Sequence, residues 1–206
     1  MKHVPNALTL LRIFLVPFYG WALLVHGGED EKMRVLAWAI FVVAMITDKI
    51  DGDLARKHNI ITNFGKIADP IADKALTGMA FVGLSIIGEL WWWVTIVVLV
   101  REIGITVLRF WVIRHGVIAA SSGGKLKTVL QTCALGLFIL PLRLLPDGAW
   151  STIGTVLWWI GVAFMAAAVA VTVATGVDYV IKALAVRRRG NARVETSGQP
   201  GPGTSP

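Results

Sequence analysis

Four aspartates and their spacing define the chemistry open to this chain. Asp48 and Asp51 lie in Asp48-Lys-Ile-Asp51-Gly52-Asp53-Leu-Ala55-Arg56, and eight residues further on Gly65 is followed by Asp69 and Asp73. Read as helix at 100° per residue, Asp48, Asp51, Gly52, Ala55 and Arg56 fall within an arc of roughly 140°. Gly65, Asp69 and Asp73 share one face of a following helix, the two acids one turn apart. A connection of about eight residues predicts antiparallel neighbours, so the four carboxylates can meet across one seam. Acids that close repel one another and cannot all stay ionised without cations. Two divalent ions would cancel the four charges, so the first expectation is a two-metal site built on helices.

The elements that must hold this site are apolar. Hydrophobic residues make up 55% of the 206 residues, and the mean hydropathy is +0.68. The charged residues are bunched between apolar runs, which predicts an all-α polytopic membrane protein. Six spans can be drawn, at 7–26, 35–56, 67–88, 91–113, 126–146 and 152–181. The apolar parts of the second and third, Val35 to Thr47 and Ala75 to Gly88, fall short of the about 20 residues a bilayer core requires. Each reaches that length only by continuing through its aspartates, which then sit near one membrane face and must meet protein, water or metal rather than lipid. Cys133 stands in an apolar stretch as the single cysteine, reads as a small buried residue, and excludes an internal disulfide.

Charge placement gives an orientation. Lys2, Arg56, Lys57, Lys66, Arg114, Lys125, Lys127 and Arg187-Arg188-Arg189 fall on one side; Lys32, Arg34 and Arg143 fall on the other, among Glu29, Asp30, Glu31, Glu89 and Asp147. The positive-inside bias places the aspartates and both termini in the cytoplasm. Trp91-Trp92-Trp93 and Trp150 read as an interface belt on the opposite side. The net charge of +7 lies beside the spans, so anionic head groups rather than nucleic acid are the expected counter-charge. The division is a membrane domain over 1–186 and a basic tail over 187–206, whose Gly, Pro, Ser and Thr content from Gly190 onward predicts disorder.

The pattern D-x2-D-G-x2-A-R-x8-G-x3-D-x3-D is matched at Asp48, Asp51, Gly52, Ala55, Arg56, Gly65, Asp69 and Asp73. It resembles the signature of the CDP-alcohol phosphotransferases, integral membrane enzymes of phospholipid synthesis. Pro5-Asn6-Ala-Leu-Thr9-Leu-Leu-Arg12, Arg101-Glu102-Ile-Gly-Ile-Thr106-Val-Leu-Arg109 and Gly123-Gly124-Lys125-Leu-Lys127-Thr128 are similar to segments of its phosphatidylglycerophosphate synthase branch. The resemblance implies six transmembrane helices, a homodimer, and a cytoplasm-facing cavity in the cytoplasmic membrane. It implies transfer of a phosphatidyl group from CDP-diacylglycerol to sn-glycerol 3-phosphate, with two Mg2+ or Mn2+ ions per site. Asp48, Asp51, Asp69 and Asp73 would be metal ligands, and Asp73 also the general base. Gly52, Ala55, Arg56 and Gly65 would form the nucleotide and diphosphate contacts.

Other residues carry two readings each. Asn6, Thr9 and Arg12 recur along one edge of the first span, as a helix cap with a snorkelling arginine or as a polar wall near the nucleotide. Arg101 lies deep enough in its span to need a function or a neutralising acid, and Arg109 could pair with Glu102 two turns away. Lys125 and Lys127 could simply obey topology, or join Arg101 and Arg109 in a pocket for an acceptor's phosphate. The alternatives to glycerol 3-phosphate are inositol phosphate, or phosphatidylglycerol as in a cardiolipin synthase. Outside this chemistry stand an aspartyl protease, which leaves two aspartates without a task, and a cation transporter, which has no use for Gly52-x2-Ala55-Arg56.

Overall fold

The computed structural model describes the backbone of residues 4–58, 63–112 and 123–197, and the side chains of residues 9–50, 68, 71–108 and 126–183. Those residues form six helices: α1 (Val4–Leu24), α2 (Glu31–His58), α3 (Asn63–Ile86), α4 (Trp92–Val112), α5 (Gly123–Ile139) and α6 (Ala149–Ser197). No strand occurs among the described residues.

Local chemistry sets the helix ends. Asp30 caps α2, its Oδ1 accepting from the backbone N–H of Lys32 at 2.9 Å and of Met33 at 3.1 Å. Before it, one 3-10 turn (Val25–Gly28) reverses the chain, with Gly28 at φ +79. A Cβ on Gly28 would also come within 2.9 Å of Ile87, so both conformation and space require glycine there. The fifth span expected over 126–146 ends early as a helix, at Ile139, because Pro141 cannot continue it. The sixth runs further than composition suggests. α6 is helical to Ser197, through residues 190–197 of the stretch expected to be disordered, where Ala, Arg and Glu favour helix and a lone Gly190 costs only about 1 kcal/mol.

α1 packs on both α2 and α3, while α6 packs on α5 and α4; α2–α5, α3–α5 and α3–α4 contacts join the two groups. The seam expected between the two acid-bearing helices involves Asp51 and Asp69, whose side chains lie outside the described residues. Close approach of α1 and α3 depends on small residues, since a Cβ on Gly20 or Gly83 would press on Met79 or Leu23. Tyr19, Phe41, Leu76, Phe81, Leu84 and Phe138 are buried at the centre.

Polarity runs opposite to that of a water-soluble chain. Leu10, Phe14, Phe18 and Trp21 form an exposed stripe on α1, and Ile96, Val100, Ile103 and Val107 one on α4, while Thr9, Arg12, Lys127 and Gln131 are buried. Two segments are long and apolar enough to cross a membrane, Thr9–Gly28 and Ala149–Ala183. Together these features fit a membrane protein. Cys133, expected to be buried, is exposed on α5, where it lines a groove against α2. Apolar hydrophobic periodicity does not reveal which helix face a neighbour will cover.

Candidate active site

Each helix of the site contributes polar groups from its interior face. From α1 comes Arg12, 2% exposed, whose Nη1 donates to Oδ1 of Asp48 on α2; the Asp48 side chain is 40% exposed. Asp73 on α3 lies within electrostatic reach of Asp48, Arg12, Glu102 and Lys127. The first and last acids of the signature therefore lie within electrostatic reach of each other and of the same cation, Arg12.

A cavity of about 310 Å³ lies between α3, α4 and α5, lined by Asp73, Lys74, Thr77, Glu102, Lys127 and Gln131 over a floor that includes Phe81 and Val98. Lys127 is buried, and its Nζ donates to Oε1 of Glu102. The same carboxylate oxygen accepts from Nη1 of Arg101 at 3.1 Å. Arg101 reaches across to α6 as well, donating from Nη2 to Thr175 Oγ1 at 2.9 Å. Lys74 donates to Thr106, whose own hydroxyl donates to the Glu102 backbone carbonyl at 2.8 Å. A second, apolar groove of about 670 Å³ starts at Asp48 and Lys49 and follows α2 and α5 past Trp38, Phe41 and Gly136 to Leu140.

Of the sequence-predicted site residues, Asp48, Asp73, Thr9, Arg101 and Lys127 are described. Thr9 is buried, Arg101 and Lys127 converge on Glu102, and Arg101 itself borders an outer groove between α4 and α6 rather than the cavity. Asn6, Asp51, Gly52, Ala55, Arg56, Gly65, Asp69, Arg109 and Lys125 belong to the helices by backbone, but their side chains lie outside the described residues. No group of three or more metal-ligating side chains occurs among the described residues.

Three residues at this site lie outside the predicted site set. Arg12, which the sequence offers as a snorkelling arginine or as part of a polar wall near the nucleotide, is the ion partner of Asp48. Glu102, weighed as a partner for Arg109, holds Arg101 and Lys127. Gln131 carries no motif. The signal for Arg12 was its place on the same helix edge as Asn6 and Thr9, and for Glu102 its place beside Arg101 and two turns from Arg109.

The family model described as CDP-alcohol phosphatidyltransferase matches residues 2–183, nearly the whole helical bundle. The chain belongs to that family. Within it, a Mycobacterium tuberculosis protein named "Probable phosphatidylglycerophosphate synthase" is 52% identical over 184 residues, 89% of this chain and 83% of that one. A Bacillus subtilis protein named "CDP-diacylglycerol--glycerol-3-phosphate 3-phosphatidyltransferase" is 39% identical over 150 residues, covering 68% of this chain and 78% of its own. An Escherichia coli protein of the same name is 40% identical over 141 residues, covering 65% and 74%. The family read from the aspartate signature is the one found.

Proposed function

We propose that this chain transfers the phosphatidyl group of CDP-diacylglycerol to sn-glycerol 3-phosphate, giving phosphatidylglycerol phosphate and CMP. The observation that carries the reading is its 52% identity, over most of both chains, to a relative named for phosphatidylglycerophosphate synthesis. Relatives from two further bacteria carry the full transferase name.

The residues fit the chemistry. In the reaction the acceptor's primary hydroxyl attacks the lipid-side phosphorus, the bond from that phosphorus to the bridging oxygen breaks, and CMP leaves with the oxygen. Asp73 accepts the hydroxyl proton, being exposed at the mouth of a cavity large enough for a small polyol phosphate. Lys127, and Arg101 through their shared Glu102, supply positive charge for the acceptor's phosphate, with Arg109 and Lys125 assigned to the same task. Arg12 holds the Asp48 carboxylate in place from α1. Asn6, Thr9, Gly52, Ala55, Arg56 and Gly65 are assigned to the nucleotide and its diphosphate. The apolar groove that begins at Asp48 suits the acyl chains of the donor, whose diphosphate would then lie at its polar end.

Asp48, Asp51, Asp69 and Asp73 would hold two divalent ions, Mg2+ or Mn2+. Carboxylate oxygens are the donors such hard cations take, and Asp48 and Asp73 already lie within electrostatic reach of each other. Bound ions would offset the charge of the diphosphate and of the leaving phosphate. We assign the protein to the cytoplasmic membrane as a six-span chain, with the site and both termini facing the cytoplasm, from the Lys/Arg bias and the exposed apolar stripes, and as a homodimer from family membership alone.

The test is purified protein in detergent, given CDP-diacylglycerol with glycerol 3-phosphate, inositol phosphate or phosphatidylglycerol in turn. Phosphatidylglycerol phosphate and CMP should form with the first alone, and EDTA should stop the reaction. A lipid product from either other acceptor, or turnover in chelator, would overturn the assignment.

A further inference from the structure

One buried polar group in the cavity has no partner. Gln131 is 6% exposed and lines the cavity with Asp73 and Lys127. Its Oε1 is buried without a hydrogen-bond partner among the described residues. Leaving a carboxamide oxygen so costs about 1–3 kcal/mol, and native interiors avoid it unless water or a ligand completes the group. Gln131 is one helical turn beyond Lys127 on α5, so both side chains reach the cavity from one face.

Beside Lys74, Thr77 and Glu102, the cavity thus presents the Asp73 carboxylate, the Lys127 ammonium and a neutral, unsatisfied amide oxygen. A small vicinal polyol phosphate has a matching set. Its terminal hydroxyl goes to the carboxylate, its phosphate to the ammonium, and the hydroxyl between them needs an acceptor. We infer that Gln131 is a specificity-determining residue, its Oε1 accepting a hydrogen bond from the middle hydroxyl of glycerol 3-phosphate. This rests on the acceptor assignment made above. A site built to bond a hydroxyl rejects an analogue that lacks it, because the buried group is left unpaired.

The probe is 3-hydroxypropyl phosphate, which keeps the phosphate and the attacking hydroxyl and lacks only the middle one. With CDP-diacylglycerol and divalent metal supplied, the wild-type protein should prefer glycerol 3-phosphate in kcat/KM by about ten- to hundred-fold. In Gln131→Met, similar in volume but unable to accept this bond, the preference should fall to within about three-fold, through loss on glycerol 3-phosphate alone. A wild-type protein that uses both acceptors equally overturns the inference without any variant. So does a Gln131→Met protein that loses the same factor on both, as a merely structural residue would, or that keeps the wild-type preference. If the Met variant does not fold, Gln131→Asn withdraws the amide by one methylene and should collapse the preference likewise; an unchanged preference there counts against the inference. No lipid product from the wild-type protein with either acceptor overturns the functional assignment and this inference together. Product from glycerol 3-phosphate with an unaltered preference in the variant overturns this inference alone.

Discussion

Two arginines, Arg12 and Arg34, are each only 2% exposed, and the partners they meet differ in kind. Arg34 is bound by backbone: Nε donates to the Ile139 carbonyl at 2.8 Å, Nη2 to Phe138 at 2.6 Å and to Leu140 at 3.0 Å, and Nη1 to Gly28 at 3.2 Å. Glu89 adds a carboxylate 3.4 Å away. The last carbonyls of α5 have no partner within the helix and carry the negative end of its dipole, so a guanidinium there closes that end. Arg12 instead meets the side chain of Asp48, itself exposed and part of the signature. About 21 Å of α2 separates the two arrangements, from the 1.5 Å rise per residue between Arg34 and Asp48. One end is locked by partners no ligand can displace; the other leaves its acids facing a cavity and a groove. The two ends should therefore fail differently.

The largest effect belongs to the open end. Asp73→Asn should lower turnover by about 10²–10⁴-fold, the share a positioned general base supplies, while the thermal midpoint in detergent stays at the wild-type value. Retained turnover would remove Asp73 as the base. The mirror outcome belongs to the lock. Arg34→Met leaves Glu89 and the carbonyls of Phe138, Ile139, Leu140 and Gly28 without their cation and should cost about 3–5 kcal/mol of stability. Protein that survives purification should still turn over at a near-normal rate per folded molecule. If Arg34→Met spares stability but destroys the rate, the division between the two ends is wrong.

A finer cut comes from Lys127. Lys127→Met should raise the acceptor KM by about ten- to hundred-fold, the weight of one charge-assisted hydrogen bond, with the KM for CDP-diacylglycerol unchanged. A rise in both KM values would mean that Lys127 supports the whole site rather than the acceptor. Glu102 sharpens the point, since it holds Lys127 and Arg101 on one carboxylate oxygen. Glu102→Gln should shift the acceptor KM in the same series while leaving the donor's alone.

What could be read in advance follows from what sequence encodes. Asp48 and Asp73 were legible because the chemistry fixes both residue type and helical spacing. Arg12 and Glu102 were legible only as charges in need of a partner. Which partner depends on α1 packing against α2, and on Lys127 of α5 reaching Glu102 of α4, neither of which is encoded in local periodicity. Arg34 reads from sequence only as a cation of the outer side, because three of its ligands are backbone carbonyls more than a hundred residues away. The fifth helix was drawn too long for a simpler reason: Leu140 and Leu142 carry the apolar run past Pro141, and hydropathy does not register the lost N–H. Gln131 is silent in sequence, since an amide in an apolar helix is equally often a satisfied core residue.

The smallest effects test how rigid the locked end is. A Cβ on Gly83 would come within 2.6 Å of the Leu23 Cδ2, the free end of a flexible side chain that can swing aside. A Cβ on Gly154 would overlap the Leu142 backbone oxygen and press on Leu145, just past the α5 carbonyls that Arg34 binds. Backbone moves less readily than a methyl group, so Gly154→Ala should cost about 2–3 kcal/mol and Gly83→Ala about 1 kcal/mol. At about 2–4 °C of melting temperature per kcal/mol for a chain of this size, the two should be separable by thermal unfolding in one detergent. Neither should change kcat or the preference among acceptors. If Gly154→Ala alters the acceptor KM, then the α5–α6 corner communicates with Lys127 along α5, and the two ends are one mechanical unit rather than two.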